Sequence, residues 1–277
     1  MPGSLAPVVA GQLMETWQSG TVDISGGHLA YHRTGGLGHA LVLSHGLTDN
    51  GLCWSRFAAA LASEFDIIML DARGHGLSSR ISETEPFDPA RDIAEAVEEL
   101  RLVSPIVMGH SVGARATASY ANAYPGRVSK VILEDPPFGP VADPGVSKAR
   151  RERFREHVAA FSSMSEAQIM AKGKSATPRW HDDDLPAWAT AKRQVDPEAM
   201  PVYDTAWQDS ISCIEAPTLL IFGEPGHGGI VTPEMAEEAL EVNPNITTAQ
   251  IKNAGHNIRR ENFADYLAVV HKFILEQ

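Results

Sequence analysis

The segment Gly109-His110-Ser111-Val112-Gly113 follows an apolar run at 103–108 and precedes a small-residue stretch at 114–123. That order places a serine on a tight turn between a strand and a helix, the geometry of a nucleophile elbow. Such a turn forces the serine into a strained backbone, and glycine two residues to either side leaves room for the flanking chains. The hydroxyl then projects outward, and the helix that follows aims its first amides at the place where an oxyanion would form during acyl transfer.

A serine hydroxyl is a weak nucleophile at neutral pH and needs a base to take its proton and a carboxylate to orient that base. Asn253-Ala254-Gly255-His256 follows the last apolar run and precedes the last helical stretch, which puts His256 on a loop at the carboxyl end of a sheet. Two carboxylates compete for the third role. The run 128–133 ends in Glu134-Asp135-Pro136-Pro137, where alternation puts Asp135 on the face opposite Ile132 and Glu134 and two prolines stiffen the exit. Glu224 is the only carboxylate in the loop 223–230 after the run 218–222. Asp135 is the preferred acid and Glu224 the alternative. Backbone donors for an oxyanion are expected at Leu47, which ends the strand through His45-Gly46, and at Val112. His45 itself, the glycine-rich turn 71–78 and Trp54 read as architecture.

These residues demand a frame. A hairpin is expected at 21–25 and 28–34 around Gly26-Gly27, followed by strands at 40–44, 65–70, 103–108, 128–133, 218–222 and 246–251. Runs apolar on both faces suit strands covered by helices on both sides, hence an α/β fold with a mostly parallel eight-stranded sheet. Helices are expected at 52–63, 89–100, 111–123, 233–241 and 261–275, with Pro89 and Pro233 in first turns. From 137 to 212 the strand rhythm stops and amphipathic helices carry Trp180, Trp188 and Trp207. The chain therefore divides into a core, 1–136 with 213–277, and a helical cap inserted at 137–212.

The formal net charge of −12 opposes attraction to nucleic acid or anionic lipid. No apolar stretch is long enough to span a membrane, and the first twenty residues lack the basic start and apolar core of a secretory signal, so a cytoplasmic protein is expected. Cys53 and Cys213 form no disulfide framework or metal spacing, and both read as small buried hydrophobes. His181-Asp182-Asp183-Asp184 groups ligand types, yet a loop before Leu185-Pro186 explains it and serine chemistry needs no ion; neither metal nor cofactor is expected. His227 reads as a loop residue. The arginines at 150, 151, 153 and 155 alternate with Glu152 and Glu156 as a solvated helix face.

In chain order, HGL at 45, DARGHGLS at 71, GHSVG at 109 and AGH at 254 resemble the α/β-hydrolase fold family from about residue 21 to the C-terminus. Within that family, an acid placed in LEDPP resembles the amide-cleaving branch that includes N-formylmaleamate deformylases of nicotinate breakdown and acetamidomethylene-succinate hydrolases. The resemblance implies Ser111 as nucleophile, His256 as base and Asp135 as orienting acid, acting on the C–N bond of a small anionic substrate. Such a pocket needs cations, for which Arg179, Arg259 and Arg260 are the candidates. An esterase or lactonase with the same residues is the alternative, and a ligand-sensing receptor on the same fold is a second.

Overall fold

The computed structural model describes residues 17–82 and 87–276. The expectation about a secretory signal falls mostly on residues outside them. Eight strands form one sheet: Gln18–Ile24 (β1), Gly27–Arg33 (β2), Ala40–Ser44 (β3), Asp66–Leu70 (β4), Ile106–His110 (β5), Lys130–Glu134 (β6), Thr218–Phe222 (β7) and Ile246–Gln250 (β8). Their spatial order is β1-β2-β4-β3-β5-β6-β7-β8. β1, β2 and β4 pair antiparallel, and from β4 to β8 every pairing is parallel.

Helices cover both faces. Residues Pro89–Glu99 (α2), Val112–Ala123 (α3) and Pro233–Val242 (α7) pack on one face, where Val42, Ile68, Val107, Val131 and Leu220 point. Ser55–Leu61 (α1) and Phe263–Leu275 (α9) cover the other, meeting Leu41, Leu43, Ile67, Met69, Met108 and Ile221. Adjacent residues of the central strands β3–β7 thus enter opposite cores, the reason these strands are mostly apolar while the outer β1 and β8 are not.

The strand order reverses around β3, whose neighbours are β4 and β5. A crevice opens outside the carboxyl ends of strands at such a point. The two loops that leave β3 and β5 carry His45-Gly46-Leu47 and Ser111.

Several boundaries differ from the expected ones for local reasons. β5 begins at Ile106 instead of 103, because Ser104 has φ 43°, Pro105 has no N–H to donate and Val103 is exposed. The hairpin turns at Ser25-Gly26, one residue early, since Ile24 pairs with Gly27. The last helix is two: Ile258–Glu261 (α8) ends at Asn262, φ −142°, whose side chain accepts from the Asp265 amide and starts α9. Cys53 is buried, but Cys213 is exposed, correcting that expectation.

Between β6 and β7 the chain leaves the sheet through Pro144–Ser162 (α4), Glu166–Ala176 (α5) and Leu185–Lys192 (α6). A capping box between Ser165 and Gln168 starts α5. Phe161, Ile169 and Ala189 bury one another beside Trp188. The segment meets the sheet domain through Leu47, which packs on Phe154, Val158 and Val195, and through polar contacts: Arg56 to Asp184 at 3.1 Å, Asn50 to Gln194 at 2.9 Å, and the Ile81 amide to Asp196 at 3.0 Å. Among the described residues no helix is long and apolar enough to cross a membrane.

Candidate active site

Ser111 sits between β5 and α3 with φ 55°, ψ −125°, a conformation rare for a residue with a side chain. The strand and helix cross so closely that a Cβ on Gly109 would lie 2.4 Å from the Gly113 carbonyl oxygen, and one on Gly113 would lie 2.4 Å from that of His45. Glycine is required at both places, which is why the GxSxG spacing exists here. The result is a hydroxyl held at the crevice, on a residue 8% exposed.

His256 Nε2 lies 3.0 Å from Ser111 Oγ, and its Nδ1 lies 2.7 Å from Asp135 Oδ2. Asp135, fully buried, leaves the end of β6 with φ 43°. Its two oxygens also accept from the Ile230 amide at 2.9 Å and the Val231 amide at 3.0 Å. Three donors around one side chain define it as a carboxylate acceptor, so Nδ1 carries the imidazole proton and Nε2 is free to take one from the serine. The structure brings Ser111, His256 and Asp135 together across 145 residues of sequence. Glu224 is elsewhere: it accepts from the Asn253 amide at 2.8 Å and pairs with His227 at 3.0 Å, leaving no role beside His256. It shapes the histidine loop from outside.

Leu47 and Val112 both border a cavity of about 270 Å³ beside the serine. Among the described residues neither amide donates to a protein acceptor, and Val112, first in its helix, has no intrahelical partner. His45 holds the Leu47 loop, donating to Gly46 O at 2.8 Å and accepting from the Ala72 amide at 3.0 Å. The chemistry available is proton removal from an oxygen next to free amide donors.

Behind His256 lies a buried ionic cluster. Asp49 accepts from Arg260 Nη2 at 2.8 Å and Arg259 Nη2 at 3.3 Å, with Lys192 Nζ at 3.5 Å. Arg259 also donates from its amide and Nη1 to Glu134, both at 3.2 Å, and the Tyr266 hydroxyl donates to Glu134 at 2.9 Å. Burial raises the proton affinity of Asp49, but Arg260, Lys192 and Arg259 override it and hold the carboxyl well below the usual range. Burial pushes Glu134 up against the pull of Arg259. Trp54 lies under the Arg259 guanidinium at 4.1 Å and Trp180 under that of Arg260 at 4.6 Å. His110 donates from Nε2 to the His256 carbonyl at 2.9 Å, fastening the histidine loop to β5.

This arrangement corrects the expected cation sites. Arg259 and Arg260, each 3% exposed, are bound to Asp49 and Glu134 and border no part of the cavity. Arg179 is half exposed and donates to Glu261 at 3.1 Å and to the Asn253 carbonyl, also away from the cavity. The arginines at the cavity are Arg115, Arg150 and Arg151. The solvated face expected for the run 150–155 holds for Arg150, Arg153 and Arg155, which are exposed, and Arg151 is half-buried; nothing in their spacing shows that Arg150 and Arg151 also border the cavity. Arg115 carried a usable signal: it is the one charged residue in Val112–Ala123, a helix otherwise of small and uncharged residues. Among the described residues no cluster of histidine, cysteine and carboxylate fit to hold a metal ion occurs.

The model of the alpha/beta hydrolase fold family matches residues 39–262. N-formylmaleamate deformylase of Pseudomonas putida is 30% identical over 266 residues, covering 92% of this chain and 96% of the relative. The crystal structure of N-formylmaleamic acid deformylase from Pseudomonas putida S16 superposes with a TM-score of 0.73 at 22% identity, over 91% of this chain and 100% of that one. That of E-2-(acetamidomethylene)succinate hydrolase gives 0.75 at 22% identity, over 93% and 99%. This chain therefore belongs to the alpha/beta hydrolase fold family and is a hydrolase.

Proposed function

We propose that this chain is a serine hydrolase that cleaves the C–N bond of a small anionic substrate such as N-formylmaleamate, through an acyl-enzyme. The observation that carries the reading is the continuous relay from Ser111 Oγ to His256 at 3.0 Å and from His256 to Asp135 at 2.7 Å. His256 takes the hydroxyl proton as Oγ bonds to the formyl carbon, and the Leu47 and Val112 amides receive the oxyanion. The tetrahedral adduct collapses with scission of the C–N bond. The imidazolium returns its proton to the leaving nitrogen, so maleamate departs and a formyl ester remains on Ser111. Water, deprotonated by His256, attacks that ester and releases formate.

Two observations support the choice of substrate. The cavity beside the serine carries Arg115, Arg150 and Arg151, an inversion of the acidic character of the whole chain. The relative matched over nearly its full length is named a deformylase of an anion. The helical segment 137–212 supplies two of these arginines and acts as the cap that shapes the pocket. A free, exposed Cys213 fits a reducing compartment, and we place the reaction in the cytoplasm.

The test is formate release from N-formylmaleamate, measured beside a matched ester of the same acid. Ser111→Ala should lower turnover by about 10⁶-fold and Asp135→Asn by about 10⁴-fold. Glu224→Gln should retain turnover. Hydrolysis of the ester alone would replace the amidase reading by that of an esterase, and turnover surviving Ser111→Ala would remove the nucleophile.

A further inference from the structure

Arg115 lies one helical turn beyond the nucleophile, its amide donating to the Ser111 carbonyl at 3.1 Å. Its residue is 2% exposed, among the alanines of α3, yet it borders the cavity together with Leu47 and Val112. Nη2 donates to the carbonyls of Thr205 at 3.3 Å and Ala206 at 3.0 Å, and the Tyr203 ring lies 4.9 Å from the guanidinium carbon. Nε is buried without a partner. Among the described residues no carboxylate reaches ion-pair distance. This sets Arg115 apart from the other deeply buried arginines: Arg73 meets Asp92 at 2.7 Å, and Arg259 and Arg260 meet Asp49.

Two carbonyls and an aromatic face orient a guanidinium but do not neutralise it. A full charge removed from water without a counter-charge is strongly unfavourable unless something supplies one. Burial pushes the proton affinity of Arg115 down against the weaker opposing pulls of Tyr203 and of Asp209, which lies beyond ion-pair distance. The planar fork matches a carboxylate, and its carbonyl contacts fix its plane before any ligand arrives.

We infer that Arg115 is the specificity-determining anion receptor of this cavity, taking a substrate carboxylate while the scissile carbonyl sits on Ser111. The inference rests on the reading of the chain as a serine hydrolase of anionic substrates. Arg150 and Arg151 lie at the rim, on a helix of the inserted segment; Arg115 is held by the same helix as the nucleophile, so it sets the distance between the charge and the bond that breaks.

The test compares kcat/KM for N-formylmaleamate with that for neutral p-nitrophenyl acetate, in the native chain, Arg115→Met and Arg115→Lys. The ratio of the two constants should fall by about 100-fold in Arg115→Met, the loss expected for a charge-assisted bond, and recover in part with lysine. Equal losses on both substrates would make Arg115 a mere anchor for the 203–206 segment and overturn the inference. A second readout does not depend on turnover: binding of maleate by calorimetry to Ser111→Ala, with and without Arg115→Met. Binding weakened at least tenfold by the second change supports the receptor; unchanged binding, or none to Ser111→Ala itself, refutes it. Failure of the hydrolase reading would show differently, as no Ser111-dependent turnover of either substrate while maleate binding still answers to Arg115.

Discussion

Ser111 stands between two groups of cations built from the same residue types. Toward His256, Arg259, Arg260 and Lys192 are buried against Asp49 and Glu134, with a tryptophan face beneath each of them. Toward Leu47, Arg115, Arg150 and Arg151 border a cavity, and among the described residues none of the three has a carboxylate at ion-pair distance. Burial does not decide the difference, since Arg115 is as deeply enclosed as Arg259 although Arg150 beside it is exposed. The presence of an internal counter-charge does. A guanidinium answered by its own carboxylate belongs to the fold; one left unanswered beside Ser111 is available to a ligand.

The sharpest way to break this contrast is to convert the first group into the second. Asp49→Ala leaves three buried cations around a missing charge and should cost about 3–5 kcal/mol of folding free energy, read from urea unfolding. A loss below about 1 kcal/mol, the size of an exposed pair, would dissolve the distinction. Acid sharpens it next. The folded Asp49 carboxyl titrates well below its unfolded value of about 4, so its contribution is complete above that unfolded value and is lost as pH falls through the depressed folded one. The stability gap between the native chain and Asp49→Asn should therefore be widest above about pH 5 and close on acidification. A gap constant from neutral to strongly acidic pH would deny the carboxylate its role.

Arg259→Met should reach catalysis indirectly. Arg259 ties Glu134, the neighbour of Asp135, to a loop three residues past His256, so loosening it should lower kcat about 10-fold on anionic and neutral substrates alike, with KM unchanged. A charge-selective loss would move Arg259 into the second group. The smallest effect belongs to Arg150→Ala at the exposed rim: stability within about 0.5 kcal/mol and KM for the anionic substrate up about 3-fold at low salt. That increase should fade as ionic strength shortens the reach of the charge.

What was legible in the sequence follows the range of the forces involved. Ser111 and His256 announce themselves because an elbow and a post-strand loop are written within ten residues. Asp135 was legible too, since it only needed the end of β6 and a rigid exit. The counter-charges were not: Asp49 and Arg260 meet across 211 positions, and no local pattern tells a guanidinium in α8 that its carboxylate waits after β3. Arg259 and Arg260 looked like substrate ligands for that reason, while nothing local showed that Arg150 and Arg151, on a largely solvated helix face, also border the cavity. The boundary of β5 failed at Ser104-Pro105, where apolar Val103 continues the run in composition but the backbone has already turned.

Lys192 carries one more consequence. Its ammonium, brought in by α6, donates to the carbonyl and hydroxyl of Thr48 and is 5% exposed, although lysine ordinarily lies at a protein surface where reagents reach it. While α6 stays seated, an acylating reagent cannot reach it. A short pulse of such a reagent will mark this amine only in molecules whose helical segment has lifted from the β3 loop. The yield of adduct at that single position, followed over time and with or without maleate, is thus a clock for how often α6 parts from the β3 loop.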